Sequence, residues 1–394
     1  MPNDLLIRNV RPMAGAAFDV LVANGRIAKI AHNMPAAPGV PVVDGAGAIM
    51  LPGLVDAHMH LDKTFWGEPW RPHSAGPTVA DRIENERTLR RELSLPPARQ
   101  AERLVRQAVG RGTTHIRTHV DIDTDVKLAN FEGVLEVRER VRDLASIQIV
   151  AFPQSGVMTR PGTVDLLEAA LRGGAELIGG IDPGLIDRDP AGQLDAIFRL
   201  AERFGRGVDI HLHEGGDLGA LTVRMIAERT RALGMEGRVA ISHAFCLGMI
   251  DDAERDRLLT TLRELRIAIM TNAPGDRAFP SIRRLREADI TVFSGSDGVR
   301  DAWTPFGTAD MLERAFLLAY RSGFRTDDGL ALALDIATRG GAAAIGLEGY
   351  GVEVGCAANL VLVPGETLGE LVVARPARTC VIRDGRVVTA LPAP

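Results

Sequence analysis

Eight short runs of aliphatic and β-branched residues recur along the chain, with helical segments between them. From the second run onward the starts lie about 30 residues apart, the length of one strand–helix unit. Eight such units predict a parallel (β/α)8 barrel. An open doubly wound sheet is the alternative, but no glycine-rich phosphate turn follows the first run. The runs are LVDAHMHLD (54–62), HIRTHVDID (115–123), SIQIVAFPQ (146–154), LIGGIDPG (177–184), GVDIHLHEGG (207–216), RVAISHAF (238–245), IAIMTNAP (267–274) and ITVFSGSDG (290–298).

Both ends of the chain depart from this pattern and have the composition of short strands joined by tight turns. Asn24-Gly25 and Asp384-Gly385 are dipeptides typical of two-residue hairpin turns. Because the two ends share this character, we expect their strands to lie in one sheet. We therefore predict an α/β protein in which residues 1–53 and 349–394 form a small β-sandwich domain and residues 54–348 form the barrel.

Composition argues against several classes of partner. The 394 residues are 46% hydrophobic and 25% charged, as in soluble globular proteins, and the formal net charge is -5. Nucleic acid is an improbable partner, since its binding proteins usually carry a basic face. With neither a run of about 18 apolar residues nor a signal-peptide pattern, we expect no membrane span and a cytoplasmic location. Three scattered cysteines match no disulfide or zinc pattern.

The gap between the first two runs, residues 63–114, is about twice as long as the others. It begins with WGEPWRPHSAGPT, which is rich in tryptophan, proline and glycine. Long loops in compact domains are commonly lids over a site or disordered segments. We expect a lid here, with Trp66 either over the pocket or in the core.

Polar side chains that can bind metal or move protons end nearly every predicted strand. Active sites of (β/α)8 barrels form at the carboxyl ends of the strands, so we expect these side chains to meet at one rim. Histidines and carboxylates are also the usual ligands of catalytic metals. In chain order the residues are His58, His60, His119, Asp121, Gln154, Asp182, His211, His213, Glu214, His243, Asn272 and Asp297.

His58 and His60 lie two positions apart on one strand, so both imidazoles point to the same face and can reach one cation. Alone, this pattern also fits two buried structural histidines. The other rim residues favour a catalytic metal, which needs few protein ligands and an open position for water. His58, His60, a histidine of the fifth strand and Asp297 meet that need. Such nitrogen and oxygen ligands suit zinc and ferrous iron alike.

The motifs at these strand ends resemble those of the amidohydrolase superfamily, in particular its branch of cytosine deaminases and N-isopropylammelide isopropyl amidohydrolases. The matching segments are VDAHMHLDKTF, RTHVDID, VAFPQSG, HLHEGG, SHAF and SGSDGVRDAWTPFG. The resemblance extends over almost the whole chain, including the terminal strands. It implies a hydrolase that acts on C–N bonds of cyclic amidines and holds a mononuclear metal site.

The resemblance also implies roles for single residues. Those that match the metal ligands are His58, His60, His211 and Asp297. His243 matches a histidine beside the attacking water, and together with Asp297 it is expected to orient that water and accept its proton. Glu214 matches the carboxyl that passes a proton to a ring nitrogen. Binuclear members often carry a carboxylated lysine on the fourth strand, which LIGGIDPG lacks, so one divalent ion per chain is expected.

Substrate contacts follow from the same resemblance. Gln154 matches the amide that hydrogen-bonds the ring, with a turn-stabilising glutamine as the alternative, and Trp303 is expected in the pocket wall or the core. His213 is either a substrate contact or a wall residue, because cytosine deaminases usually have an acidic residue there. Gly298 stands where cytosine deaminases carry a second aspartate that helps hold the pyrimidine, so cytosine itself is disfavoured. Lys63 is expected in a loop or beside the site.

The predicted function is hydrolytic removal of an exocyclic amino or alkylamino group from a small N-heterocycle, such as a cytosine-like pyrimidine or an ammelide-like triazine. A cyclic-amide hydrolase of the dihydropyrimidinase or hydantoinase type is the alternative, but such proteins generally use two metals and the missing lysine. A non-catalytic barrel would not need a complete set of ligand and acid–base residues. The expected partner is a small heterocyclic substrate, and the resemblance also allows a homo-oligomer.

Overall fold

The structure is a computed structural model that describes residues 3–390. Within that range no helix is long and apolar enough to cross a membrane. The strands are β1 (Leu5–Pro12), β2 (Phe18–Ala23), β3 (Arg26–Ala31), β4 (Val42–Asp44), β5 (Ile49–Pro52), β6 (Leu54–Met59), β7 (Thr113–Asp121), β8 (Ser146–Phe152), β9 (Leu177–Ile181), β10 (Gly207–His211), β11 (Val239–Ser242), β12 (Ala268–Met270), β13 (Val292–Phe293), β14 (Leu360–Val363), β15 (Cys380–Arg383) and β16 (Arg386–Ala390).

Helices fill most of the connections between these strands. They are α1 (Val79–Leu93), α2 (Pro97–Gly110), α3 (Ala129–Arg140), α4 (Thr163–Arg172), α5 (Pro190–Phe204), α6 (Gly216–Ala232), α7 (Asp252–Glu264), α8 (Ile282–Glu287), α9 (Met311–Ser322), α10 (Asp327–Asp335), α11 (Gly341–Ile345) and α12 (Leu368–Ala374). A 3-10 turn (Phe245–Gly248) follows β11, and a π-helical turn (Ile336–Gly340) joins α10 to α11.

Strands β6 to β13 form a parallel barrel in which each strand pairs with the next one along the chain. The first and last strands meet through two backbone hydrogen bonds. Ala57 N donates to Ser294 O at 3.3 Å, and Asp297 N donates to His58 O at 2.8 Å. All the barrel strands overlap the runs that predicted them, so the predicted fold class is confirmed.

Helices that connect the barrel strands pack against the barrel through an apolar face, as α5 illustrates. Asp189 caps its start by accepting a hydrogen bond from Gly192 N at 2.9 Å. Gly205, with φ at 63°, ends the helix in the left-handed region that glycine adopts easily. Each fully buried aliphatic side chain of such a face contributes about 1.5–3 kcal/mol. The buried residues of α5 are Gln193, Leu194, Ala196, Ile197, Phe198, Leu200 and Ala201.

The two ends of the chain form a separate mixed sheet, as predicted. Its strand order is β16-β15-β14-β5-β1-β2-β3, and β4 also pairs with β1. Both predicted hairpin dipeptides have the positive φ values that a type I′ turn requires. These are 52° and 74° at Asn24-Gly25, and 47° and 78° at Asp384-Gly385. The limits chosen for the two domains stay predictions.

Two buried arginines join this sheet to the base of the barrel. Arg378 forms an ion pair with Asp310, and Arg383 donates to Ser146 Oγ at 2.7 Å. A second Arg383 nitrogen lies 3.2 Å from His115 Nε2. Burial, together with the Arg383 charge, lowers the pKa of His115 to about 3. The imidazole is therefore neutral near pH 7 and accepts this hydrogen bond.

The long gap after β6 folds into a loop followed by α1 and α2. Thr78 caps α1, because its hydroxyl accepts from Asp81 N at 3.1 Å while the Asp81 carboxylate accepts from Thr78 N at 3.1 Å. The Arg300 guanidinium, from the last barrel loop, lies 5.3 Å from the Trp66 ring centroid and 5.5 Å from that of Trp70. The segment predicted as a lid is thus held against the rim of the barrel.

We predict that Gly295→Ala destabilises the barrel where β6 meets β13. An added Cβ would lie 2.2 Å from His58 O and 2.4 Å from His58 N, and these are backbone atoms. We expect the free energy of unfolding to fall by more than about 2 kcal/mol in chemical denaturation. Gly110→Ala is the control, because a Cβ there meets open space and alanine favours the helix. An equal loss in both variants would contradict the prediction.

Candidate metal and substrate site

Four candidate ligands from four strand ends converge at the rim of the barrel. His58 lies in β6, His211 ends β10, His243 follows β11 and Asp297 follows β13. Their ligand atoms all lie within 4.8 Å of one another. Groups this close can contact one ion together. The barrel topology thus brings together residues that are far apart in sequence.

Asp297 lies close to His58 in β6 and to His60, which directly follows that strand. Its Oδ1 atom lies 3.6 Å from His58 Nε2 and 3.4 Å from His60 Nε2. Asn272 donates a hydrogen bond to the other oxygen at 2.7 Å. The predicted ligand set, which includes His60, stays a prediction, and the geometry adds His243 to the candidates.

Burial favours the neutral form of the site's imidazoles. Desolvation, helped by the Lys63 charge, lowers the pKa of His60 to about 4. Desolvation and neighbouring histidines lower the pKa values of His211 and His243 well below the usual value. Burial alone would raise the pKa of Asp297, but the close imidazoles of His58 and His60 hold it well below its usual range. Metals bind neutral imidazoles and ionised carboxylates, so these groups are ready to bind near pH 7.

Several ring nitrogens of the site are buried without a hydrogen-bond partner among residues 3–390. Such atoms are rare in native proteins because leaving them unpaired is costly. A cation can pair with one nitrogen of each imidazole that binds it, so the residues present fit a divalent metal ion. The atoms are His58 Nε2, His60 Nδ1 and both ring nitrogens of His119, His211 and His243.

Three rim residues have a strained backbone. The φ angle is 34° at Asp182, 72° at His243 and 60° at Asp297. Non-glycine residues in such regions cost about 1–3 kcal/mol and cluster at functional sites. Asp182 and His243 directly follow β9 and β11, where the chain turns away from the barrel. This observation supports a functional rim independently of residue type.

A hydrogen-bonded chain below the ligands sets the proton of His58. Ser242 Oγ donates to Asp209 Oδ1 at 2.7 Å and lies 3.1 Å from His58 Nδ1. Because Asp209 takes the serine proton, the proton of a neutral His58 sits on Nδ1, and the Nε2 lone pair faces the other ligands. Arg117 lies 3.2 Å from Asp209 and balances its charge. Neither Asp209 nor Ser242 was predicted, although Asp209 shares a strand face with His211.

His213 is oriented by a buried carboxylate. Its Nδ1 atom lies 2.8 Å from Asp182 Oδ2, and its backbone N donates to Asp182 Oδ1 at 2.6 Å. The ring stacks on His243, with the centroids 4.4 Å apart. A neutral His213 that donates from Nδ1 keeps Nε2 available to accept a proton. His213 therefore has the surroundings of an acid–base residue.

Glu214 is fully buried. Its carboxylate accepts hydrogen bonds from Gly184 N at 2.6 Å, Leu185 N at 3.0 Å and the Thr222 hydroxyl at 2.6 Å. Burial raises the pKa of Glu214, and these hydrogen bonds oppose the rise. In the described part of the chain, no histidine of the site donates to either oxygen. The proton-carrying role of Glu214 stays a prediction.

A buried charge cluster around Lys63 adjoins the histidines. Lys63 Nζ donates to Gln154 Oε1 at 2.6 Å, Asp121 Oδ1 at 3.1 Å and Glu86 Oε2 at 3.3 Å. Arg90 pairs with both Glu86 and Asp121. Glu86 and Arg90 come from α1, inside the long gap, and neither was predicted. No strand-end pattern marks them, because a helix that packs over the rim supplies them.

Trp303 lines the same side of the site. Its indole N–H donates to Glu86, and its ring packs against the small apolar cluster that includes Phe152 and Ile181. Phe152 in turn stacks on His211, with the centroids 4.2 Å apart. Trp303 and Phe152 therefore form an aromatic wall between α1, which carries Glu86, and the candidate ligand His211. The role of Trp303 in substrate binding stays a prediction.

The amidohydrolase family model matches residues 41–389, and this chain belongs to the amidohydrolase family. The resemblance predicted from the motifs is confirmed, and the protein is an enzyme, a hydrolase. N-isopropylammelide isopropyl amidohydrolase of Pseudomonas sp. (strain ADP) is 32% identical over 98% of this chain and 97% of its own.

Two solved structures cover nearly the whole fold. The crystal structure of N-isopropylammelide isopropylaminohydrolase from Burkholderia multivorans is 50% identical, with a TM-score of 0.95 over 98% of both chains. That of 5-methylcytosine deaminase from Klebsiella pneumoniae is 28% identical, with a TM-score of 0.87 over 99% of this chain and 98% of the other. The barrel and its terminal sheet are thus shared with both kinds of protein in the predicted branch.

We predict that Ser242→Ala weakens zinc binding by about 10- to 100-fold, because His58 loses the partner that sets its proton. Competition with a chromophoric chelator measures the affinity. Ser294→Ala is the control, since this serine is equally buried but its hydroxyl donates to Thr271 O at 2.7 Å. An unchanged affinity in Ser242→Ala, or the same loss in both variants, would refute the role assigned to this hydrogen-bonded chain.

Proposed function

We propose that this protein is a metal-dependent aminohydrolase that removes an exocyclic amino or alkylamino group from a small N-heterocycle. The observation that carries the proposal is the group of three imidazoles and one carboxylate within 4.8 Å of one another at the barrel rim. The relatives support it, because their names refer to N-isopropylammelide and 5-methylcytosine. Both compounds are small N-heterocycles with an exocyclic nitrogen.

We assign one divalent ion, zinc or iron, to His58, His211 and Asp297, with His60 as the predicted fourth ligand and His243 as the alternative. Such an ion, when bound, lowers the pKa of a water molecule to about 7 and so supplies a nucleophile at neutral pH. The β9 sequence LIGGI carries no lysine that could bridge two ions, which supports a single ion. The same absence argues against a cyclic-amide hydrolase of the binuclear type.

The side chains of the site then move the protons. Asp297 and His243 accept the proton of the attacking water, whose oxygen adds to the ring carbon that bears the amine. A protonated side chain gives a proton to the adjacent ring nitrogen. The exocyclic nitrogen takes the proton held by Asp297 and His243, and the C–N bond breaks. The proton of the new hydroxyl group returns to the donor side chain, so the products are the ring oxo compound and ammonia or an alkylamine. Acid–base groups of this kind contribute about 10²–10⁴-fold each.

We assign the proton transfer to the ring nitrogen to His213, at Nε2. Asp182, 2.8 Å from Nδ1, holds the ring in place and stabilises its charged form. Glu214, predicted for this step, is held in place by hydrogen bonds from Gly184, Leu185 and Thr222, whereas His213 Nε2 has no such partner in the part of the chain that the structure describes.

The pocket wall supports a triazine more than cytosine as the substrate. Gln154 and Trp303 are assigned to the edge and the face of the ring. Gly298 has no side chain where cytosine deaminases carry a second aspartate that helps hold the pyrimidine, and a Cβ there would lie 2.4 Å from Asp301 Oδ2, which would have to move. The substrate that we favour is therefore an ammelide-like triazine with an alkylamino leaving group.

We predict that metal-loaded protein releases isopropylamine from N-isopropylammelide faster than it releases ammonia from cytosine, 5-methylcytosine, isocytosine, ammelide or creatinine. Amine-specific and ammonia-specific assays on the same samples measure both products. Protein treated with a chelator should lose the activity, and added metal should restore it. Metal-bound protein that leaves the whole panel unchanged would refute the proposed function.

We predict that His213→Gln lowers kcat by about 10²–10⁴-fold while one metal ion stays bound. Glu214→Gln keeps the size and shape of the side chain that follows His213, and it should lower kcat less than His213→Gln does. Metal content and the kcat of both variants are measured side by side. A larger loss in Glu214→Gln than in His213→Gln would return the proton-carrying role to the carboxyl.

A further inference from the structure

The cluster around Lys63 supplies an acceptor for each N–H donor of its ammonium group. The side chain is 6% exposed, and Nζ lies within hydrogen-bond distance of Gln154, Asp121 and Glu86. Burial opposes the charge, but Asp121 and Glu86 outweigh burial and raise the pKa of Lys63 above its usual value. An ammonium has three N–H donors and no acceptor. Each partner atom must therefore be an acceptor.

This requirement fixes the orientation of the Gln154 amide. The contact with Lys63 is short, 2.6 Å, and only the amide oxygen can accept it. The NH2 group is consequently the end turned away from Lys63. Its nitrogen is buried and has no hydrogen-bond partner within residues 3–390. A buried, unpaired donor of this kind is a place that a ligand acceptor would fill.

We infer that Lys63 holds Gln154 so that only N–H donors face the substrate, which makes the site select heterocycles with an acceptor there. The acceptor is a ring oxo oxygen, and an amino group at that place is rejected. Lys63 is a positioning residue, because it acts through Gln154. This inference rests on the proposed function and adds the polarity of the substrate edge.

The expected ratio of the two affinities follows from the burial of the Gln154 NH2 group and of the substrate group that faces it. A site built to bond one polar group rejects an analogue that cannot make the bond, because the buried group is then left unpaired. An amino group opposite the Gln154 NH2 would set two donors against each other. We expect the resulting discrimination to be at least about 100-fold.

The test uses N-isopropylammelide and N-isopropylmelamine, in which both oxo groups are replaced by amino groups. Stopped-flow tryptophan fluorescence, read before appreciable turnover, gives Kd for each compound with metal-loaded protein, and the ratio of the two is the readout. Wild type should bind the oxo compound at least about 100-fold more tightly. We expect Lys63→Met to reduce this ratio at least about tenfold, because Gln154 loses the donor that orients its amide. We expect Lys63→Arg, which keeps N–H donors, to preserve the ratio. A loss of structure alone would weaken the binding of both compounds and leave their ratio unchanged. Lys29→Met, an exposed lysine of the terminal sheet, is the matched control.

Gln154→Glu and Gln154→Met separate a donor from an acceptor at this position. If Gln154 donates, Glu has lost the donor and should bind N-isopropylammelide no better than Met does. If Gln154 instead accepts from the substrate, Glu keeps the acceptor and should bind clearly better than Met. That second result, or a wild-type ratio near one, would overturn the inference.

Failure of the inference and failure of the proposed function give different results. Hydrolysis of N-isopropylammelide with a ratio near one overturns the inference alone. A high ratio, with no amine or ammonia released from any compound of the panel, overturns the proposed function alone. If neither compound binds, a crystal structure of the metal-loaded protein decides: Gln154 turned away from Lys63 overturns the inference, and the short contact supports it.

Discussion

The joint between β6 and β13 is the constraint on which the site depends. The hydrogen bond from Asp297 N to His58 O, at 2.8 Å, closes the barrel and also sets two candidate ligands side by side. Gly295 allows this approach, because any Cβ would meet the His58 backbone. Catalytic groups must be held within about 0.5 Å of their working positions. Fold stability and site geometry are therefore set by the same few backbone contacts.

Two polar groups around this joint give the site its electrostatic character. Below the ligands, Asp209 and Ser242 fix the proton of His58. Beside the ligands, Lys63 and its carboxylates form a network in which each buried charge has an opposite charge next to it. Removing one member of such a network leaves an unpaired buried charge, which costs more than the pair itself contributes. Between these two groups, burial lowers the pKa values of His60, His211 and His243, which suits these imidazoles to bind a metal.

Local pattern was enough to predict the barrel and most of the rim, because strand alternation and the spacing of units are properties of short segments. His58 and His60 follow from that alternation. The alternation does not predict which way the Glu214 side chain points, because β10 ends at His211 and a loop follows. Glu86 reaches the site from α1, and the position of that helix depends on tertiary contacts such as the one with Trp303. Side chains delivered by a folded lid have no periodic pattern that marks them.

The most direct test of a catalytic metal at this rim is an anomalous difference map from crystals of the metal-loaded protein, collected at the absorption edge of the bound metal. We expect one peak per chain, in contact with His58, His211 and Asp297. The map would also show whether His60 or His243 completes the ligand set. Two peaks, a peak elsewhere, or none at the rim would contradict a single catalytic ion held by the residues that close the barrel.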